Sequence, residues 1–485
     1  MGRSKGKMDK IINRKIKLIQ LLYSYTTYTG LQEIADSMGL TIKTIQLELS
    51  EIVEQLKLNN YGIKLVNEGT TYYLEREAIN HIDLLYFSIE KESLFFFFTN
   101  KLFYNQLNPK KLYESYHYSY SHFHKRKIEY GNHLLKYELT FSSKPLSIVG
   151  SETMIRFYFF SFYWEKYGKI EWPFSHVEKE WVLSLVRKIE KDIKLILSEI
   201  EQLKLAYWVA VILNRTLNGH FIADSQFVEK ESNFIAHQKN VAWRELFFDD
   251  INKVDSNTIN QELTYLMSIV LLVLDGKKIR GLIAQNQVDY KVGDVMDLSL
   301  KFCQSVQEAF KLKIEWELML NSVYLVFYSE MKLSGKVRSQ KEKYNVNKNA
   351  STYKLFIEKY QKFSLDLIET TEQFRSFINV SELWEELMLI VFHVADMDSY
   401  RPRLTAQIKL AAGNLEERLL MNCLNQLDYK IKYETEGKSP VDLVITDIYF
   451  EQSDDVTTYF PWNRTSTQDN FKRLSHFLKE FKFTR

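Results

Sequence analysis

A chain of 485 residues is longer than one hydrophobic core organises, so several domains are expected. Its 45% hydrophobic and 26% charged residues suit a globular protein, no run reaches the ~18 apolar residues of a membrane span, and only 16 Gly and 6 Pro interrupt what reads as mostly helix. The formal charge of +2 hides an asymmetry: residues 1–145 hold 20 Lys and Arg against 15 Asp and Glu, so the positive field lies at the N-terminal end.

The opening stretch, MGRSKGKMDKIINRKIKLIQLL, interrupts its apolar residues with charge. It does not read as a signal peptide, and a cytoplasmic location is expected. Residues 31–58, LQEIADSMGLTIKTIQLELSEIVEQLKL, have the pattern of a helix-turn-helix. Leu31, Ile34, Ala35 and Met38 fall on one side of a first helix, and Gly39 permits the sharp turn because it tolerates φ > 0. Thr41 is placed to cap a second helix whose buried stripe is Ile45, Leu49, Ile52, Val53 and Leu56. Thr41, Lys43, Thr44 and Gln46 are left facing outward at its front. Lys suits phosphate or guanine and Gln suits adenine, so this face is expected to bind double-stranded DNA in the major groove. The following YGIKLVNEGTTYYLE alternates like two strands around Asn67, Glu68 and Gly69, which predicts the wing of a winged helix.

A shift of 78 positions finds a second copy. Ile34 falls on Leu112, Met38 on Tyr116, Leu40 on Tyr118, Ile45 on Phe123 and Leu56 on Leu134, and the cap Thr41 becomes Ser119. The outward positions become Ser121, His122, His124, Lys125 and Arg126, a more basic set, and Lys127 stands in place of Leu49. ELTFS, a turn at Lys144 and Pro145, and LSIVG predict a second wing. Two such readers would multiply phosphate contacts and make affinity steeply salt-dependent.

From about Pro173 to Tyr400 the pattern is one of amphipathic helices, among them EKEWVLSLVRKIEKDIKLIL, YWVAVILNRTLNGH and NQELTYLMSIVLLVLDG, with 333–352 as the most loop-like segment. His176, His220, His237 and His393 lie here without i, i+4 pairing or H-E-x-x-H spacing, so no metal site is expected. Cys303 and Cys423 have no C-x-x-C company, which excludes a disulfide framework and a Cys-rich zinc site. Residues 404–485 alternate strand and helix, as a parallel α/β sheet does: LTAQIKLAA, NLEERLLMNCLNQL, YKIKYET, PVDLVITDIYF and a helix from Gln468. The turn after the first strand reads AAGNLEE, with one Gly, two acids and no cysteine. An enzymatic site and a cofactor are therefore not expected. Leu443, Val444 and Ile445, with Tyr449, Phe450, Tyr459, Phe460 and Trp462, read as surplus apolar surface for a partner.

This order of pieces, with SKPLSIVGSETMIRFYFFSFYWEKYG, the following WPF and NRTLNGH, resembles the Mga/AtxA family of virulence-gene transcription regulators. The resemblance implies a mainly α, multidomain chain. Its parts would be a winged helix-turn-helix over 1–76, a second over 77–170, helical domains like those of sugar-phosphotransferase-system (PTS) regulation over 171–286 and 287–402, and a IIB-like α/β domain over 403–485. It implies a transcription activator of virulence or carbohydrate-linked genes, a homodimer through the C-terminal domain, tuned by a PTS phosphocarrier. His220, in NRTLNGH, and His393, the only histidine between Tyr290 and Arg401, become the candidate phosphorylation sites. A PTS phosphocarrier protein and an RNA-binding antiterminator are the alternative readings. Helix-turn-helix geometry favours B-DNA over the deep, narrow major groove of A-form RNA.

Overall fold

A computed structural model describes residues 7–106, 120–143, 146–168, 170–222, 255–274, 278, 293–332, 353–375, 380–401, 403–411, 413–425, 429–434, 440–448, 458–462 and 467–480. The chain divides into two compact units, Met1–Leu274 with Lys278–Tyr290, and Asp275–Lys277 with Lys291–Arg485.

The first unit opens with α1 (Lys7–Ser24), β1 (Thr29–Gly30), α2 (Leu31–Met38) and α3 (Ile42–Leu58), followed by β2 (Ile63–Glu68) and β3 (Thr71–Arg76). Between α2 and α3, Gly39 adopts φ +64° and its N–H donates to the carbonyl of Asp36, while that of Leu40 donates to Ala35. No atom lies within 4 Å of where a Cβ would stand on Gly39, so glycine is required there for its backbone angle alone. Thr41 caps α3: its Oγ accepts the Thr44 N–H at 3.3 Å. The two long strands pair antiparallel from Ile63↔Arg76 to Glu68↔Thr71, turning at Gly69 (φ +61°). β1, which pattern reading does not separate from the helix it precedes, pairs with the outer side of β3. Leu18, Ile19, Leu22, Ile34, Ile45, Leu49, Ile52 and Leu74 close the core of this winged helix.

A second helical cluster follows: α4 (Ile82–Lys91), α5 (Leu94–Phe103), α6 (Tyr120–Leu134), the antiparallel hairpin β4 (Thr140–Ser143) and β5 (Leu146–Val149), and α7 (Glu152–Tyr167). Its core is aromatic. The hydroxyls of Thr99, Tyr130 and Tyr158 meet at 2.8–3.1 Å, so each buried donor has a partner. The residues expected to form the helix before α6 (Leu112, Tyr116, Tyr118) and the turn at Lys144 and Pro145 lie outside the described residues. The unit continues with α8 (Lys179–Ile193), α9 (Glu199–Leu217), which a Ser198–Glu201 capping box starts, and α10 (Ser256–Val273), capped by Asp255.

The second unit holds α11 (Gly293–Phe310), α12 (Trp316–Lys332), α13 (Lys354–Thr370), α14 (Glu372–Arg375) and α15 (Val380–Val394). They pack around Phe302, Phe327, Phe374 and Trp384. Beyond them come β6 (Arg403–Lys409), α16 (Asn414–Leu424), β7 (Lys430–Tyr433), β8 (Leu443–Thr446), β9 (Thr458–Pro461) and α17 (Thr467–Glu480). The four strands form one parallel sheet in the order β7-β6-β8-β9. The expected parallel α/β sheet is thus observed, with β7, β8 and the additional strand β9 following one another in the described order. Leu443, Ile445 and Phe460 are buried in the tail's own core and Val444 is buried as well, which corrects their reading as surplus partner surface. A parallel strand covered on both faces is a continuous apolar run for that reason. Among the described residues of the tail, the large apolar side chains that face solvent are Leu415, Leu419 and Ile448. Tyr449 and Phe450 lie outside the described residues. Among the described residues, no helix is long and apolar enough to cross a membrane, and no cluster of three or more His, Cys, Asp or Glu could hold a metal ion.

Candidate nucleic-acid interface and histidine sites

One stripe of α3, Ile45, Glu48, Leu49 and Ile52, is buried, and this fixes what the other stripe presents. Thr41, Lys43 and Gln46 are exposed and Thr44 is half-buried, while the hydroxyls of Thr41 and Thr44 lie 2.9 Å apart. Ile42, Leu47 and Ser50 share the exposed side, and sequence reading did not single them out. The helix is anchored from behind. Arg14 of α1 pairs with buried Glu48, and Lys15 pairs with Glu51 at 2.5 Å. Burial holds the Glu48 carboxyl above the usual carboxylate range, against the pull of Arg14.

On α6, His124 and Lys125 are exposed, together with Ile128. Arg126 departs from its expected outward position. It is only 7% exposed, and its Nη1 donates to Glu129 at 2.5 Å. Position 126 lies 78 residues beyond Glu48, on the inward side of the helix in both copies. Lys127, at the position of Leu49, is half-buried, with its ammonium 5.9 Å from the centroid of the Phe141 ring on the wing. The wing therefore supplies a face on which a long cationic side chain can replace leucine. Ser121 and His122 belong to α6, and Ser119 lies outside the described residues.

His220 follows α9 after Gly219 (φ +77°), and its N–H donates to the Arg215 carbonyl at 3.0 Å. Its ring is half-buried, and burial together with Arg215 and Arg156 lowers its pKa from 6.5 although Glu152 acts the other way. Around it stands a charged network built from three helices. Arg156 of α7, fully buried, donates from Nη1 and Nη2 to the Glu262 carboxylate of α10 at 2.6 and 2.9 Å. It also donates from Nε to Glu152 and from Nη2 to the main-chain carbonyl of His220, both at 3.0 Å. Arg215 of α9 holds Glu152 through two further bonds of 2.9 and 2.7 Å. Burial alone would lower the pKa of Arg156, but Glu262 and Glu152 raise it above its ordinary value, so the guanidinium stays charged. Sequence reading missed this cluster. The available signal was a lone Arg156 between Ile155 and Phe157 in an aromatic helix.

His393 is exposed on the last turn of α15. His176 packs edge-on to Phe103, Tyr104 and Phe174, with its Nε2 3.0 Å from the Ala210 carbonyl. Burial lowers its pKa. His237 lies outside the described residues. Cys303 is buried, which pushes its thiol up to about 12. In the tail, two amides after β6 are already taken by carboxylates. The Leu410 N–H donates to Glu417 at 3.1 Å and the Ala411 N–H to Asp447 at 2.8 Å.

Tandem helix-turn-helix domains, the first with its second helix anchored behind and open in front, define a DNA-binding class of protein. Residues 9–66 match the M protein trans-acting positive regulator (MGA) HTH domain, and residues 79–163 the Mga helix-turn-helix domain. The chain is 23% identical over 297 residues to the capsule synthesis positive regulator AcpA of Bacillus anthracis, 59% of each chain. It is 20% identical over 304 residues to the anthrax toxin expression trans-acting positive regulator of the same organism, 63% of this chain and 62% of that one. The chain thus spans less than two thirds of the length of these curated relatives. In its two helix-turn-helix domains and these relatives, the chain is similar to the Mga/AtxA family of virulence-gene regulators.

Proposed function

We propose that this chain is a transcription activator that binds duplex DNA through α3 and α6, with its output set by histidine phosphorylation and dimerisation. The observation that carries the reading is the two-sidedness of α3. Glu48 and Leu49 are locked into the core while Lys43 and Gln46 face solvent at the helix front. Thr41 and Thr44 contact the sugar–phosphate backbone near the helix start. Lys125, with His124 and the Ser119–His122 segment, supplies the second set of contacts. Comparing a DNA duplex, an RNA hairpin and a single strand in a gel shift tests this. Duplex preference is expected, and preference for the hairpin would replace the activator with the antiterminator reading.

The helical domains over 171–286 and 287–402 are the sensory part of this proposal, with His220 and His393 as phosphoacceptors. The lowered pKa of His220 leaves its ring neutral at pH 7, so a nitrogen lone pair is free to take a phosphoryl group from a phosphocarrier's phosphohistidine. The product is an anion beside Arg215 and Arg156, in competition with Glu152. Incubation with phosphoenolpyruvate and the PTS phosphocarriers should label the chain. Label that persists in a His220→Ala, His393→Ala double variant removes both assignments. Dimerisation through residues 403–485 is assigned to the exposed side of α16, where Leu415 and Leu419 stand one turn apart.

A further inference from the structure

Leu47 is 60% exposed on α3, whereas Leu49, two residues on, is only 2% exposed. It contributes little to the core of its own domain. Helical spacing puts it one turn from Lys43 and one turn before Ser50, and both are exposed, as is Gln46 just before it in sequence. A branched apolar side chain therefore stands among polar and cationic neighbours on the face assigned to DNA. The major groove offers such a side chain one apolar group, the C5 methyl of thymine, since the other base-edge features there are hydrogen-bond donors or acceptors. The copy 78 positions on makes the contrast. There Lys125 takes the place of Leu47, equally outward but charged.

We propose that Leu47 is a specificity-determining residue that packs on a thymine methyl beside the base pair read by Gln46. The first helix-turn-helix then discriminates A·T-containing sites, while the second adds mostly charge. This rests on the reading of α3 as a duplex-DNA helix, and the experiment separates the two. Duplexes are selected from a random library with the full chain, and the enriched duplex is resynthesised with deoxyuridine in place of each thymine in turn. Wild-type affinity is expected to fall about 3–5-fold when one particular methyl is removed. Leu47→Ala should bind the thymine duplex that much more weakly and lose nothing further on the matching deoxyuridine duplex. Because Leu47 is exposed, the variant should melt like wild type. Wild type indifferent to every substitution, an equal further loss in Leu47→Ala, or a library with no enriched thymine overturns the inference while leaving duplex binding intact. Failure to bind any duplex overturns the proposed function itself.

Discussion

Glu48 on α3 and Arg126 on α6, 78 positions apart, occupy the same inward place in the two helix-turn-helix domains with opposite charge. Each is buried and paired, Glu48 with Arg14 and Arg126 with Glu129. The partners differ in reach. Arg14 belongs to α1, so the first pair ties the reading helix to its neighbour, whereas Glu129 lies one turn along α6 itself. A buried charge parted from its counter-ion is costly, which makes both positions structural although they sit on the helices assigned to DNA.

Glu48 sets a pH dependence whose sign follows from its raised pKa. A carboxyl raised in the folded state contributes most stability below the unfolded pKa, and that contribution is lost as pH rises through the folded value. Glu48→Gln mimics the protonated form. Its melting temperature relative to wild type should therefore increase between pH 4 and pH 7.5. A difference that stays flat or falls over this range would show that the Arg14 pair outweighs burial.

Lys125 and Arg126, adjacent in sequence, should separate into different phenotypes. Lys125→Ala is expected to leave the melting temperature unchanged and flatten the slope of log affinity against log salt by about 1. Arg126→Ala should destabilise the fold by about 1–2 kcal/mol, because the buried stem of Arg126 and its pair with half-buried Glu129 are lost. Melting curves with salt titrations of both variants decide it. Equal loss of stability would return Lys125 to a packing role.

Arg156 and Glu262 should couple strongly. Arg156→Met strands the buried Glu262 carboxylate and is expected to cost about 3–5 kcal/mol, while Glu262→Leu leaves Arg156 with Glu152 alone and is expected to cost somewhat less. The double variant should cost clearly less than the sum of the two, which a double-mutant cycle in urea measures. Strict additivity would mean that Glu152 and Arg215 carry the network without this pair.

His133 packs edge-on to Phe95 at 4.7 Å, and burial, with Lys136 and Lys166, pushes its pKa down to about 4. The folded state holds it neutral, so its contribution is complete above about 6.5 and is lost as pH falls toward 4. His133→Phe should remove up to about 3 kcal/mol of that acid-side loss. Wild type and variant with parallel stability profiles from pH 7 to pH 4 would exclude His133 as the titrating group.

The turn between α2 and α3 was legible because Gly39 and Thr41 act locally, through a backbone angle and a cap. The tail was legible for the same kind of reason, as short alternating segments carry their own period. β1 was not, since two residues are too short to show one, and β9 was not because Tyr459 and Phe460 read equally well as exposed partner surface. The inward turn of Arg126 was hidden because basic residues in a row look solvated, and only the 78-residue comparison with Glu48 reveals the face. The charged network beside His220 was least legible of all. Arg156 and Glu262 are 106 positions apart and meet only once α7, α9 and α10 have packed.

α7 has a practical consequence for dissecting the molecule. The second helix-turn-helix match ends inside it, at residue 163, which invites a cut near residue 170. Such a cut leaves Arg156 on one fragment and its carboxylate Glu262 on the other, with Arg215 also parted from Glu152. Each half would expose a surface built to be dry and neutralised from across the seam. The shortest N-terminal piece that carries both ends of these bonds with α10 whole extends through Val273.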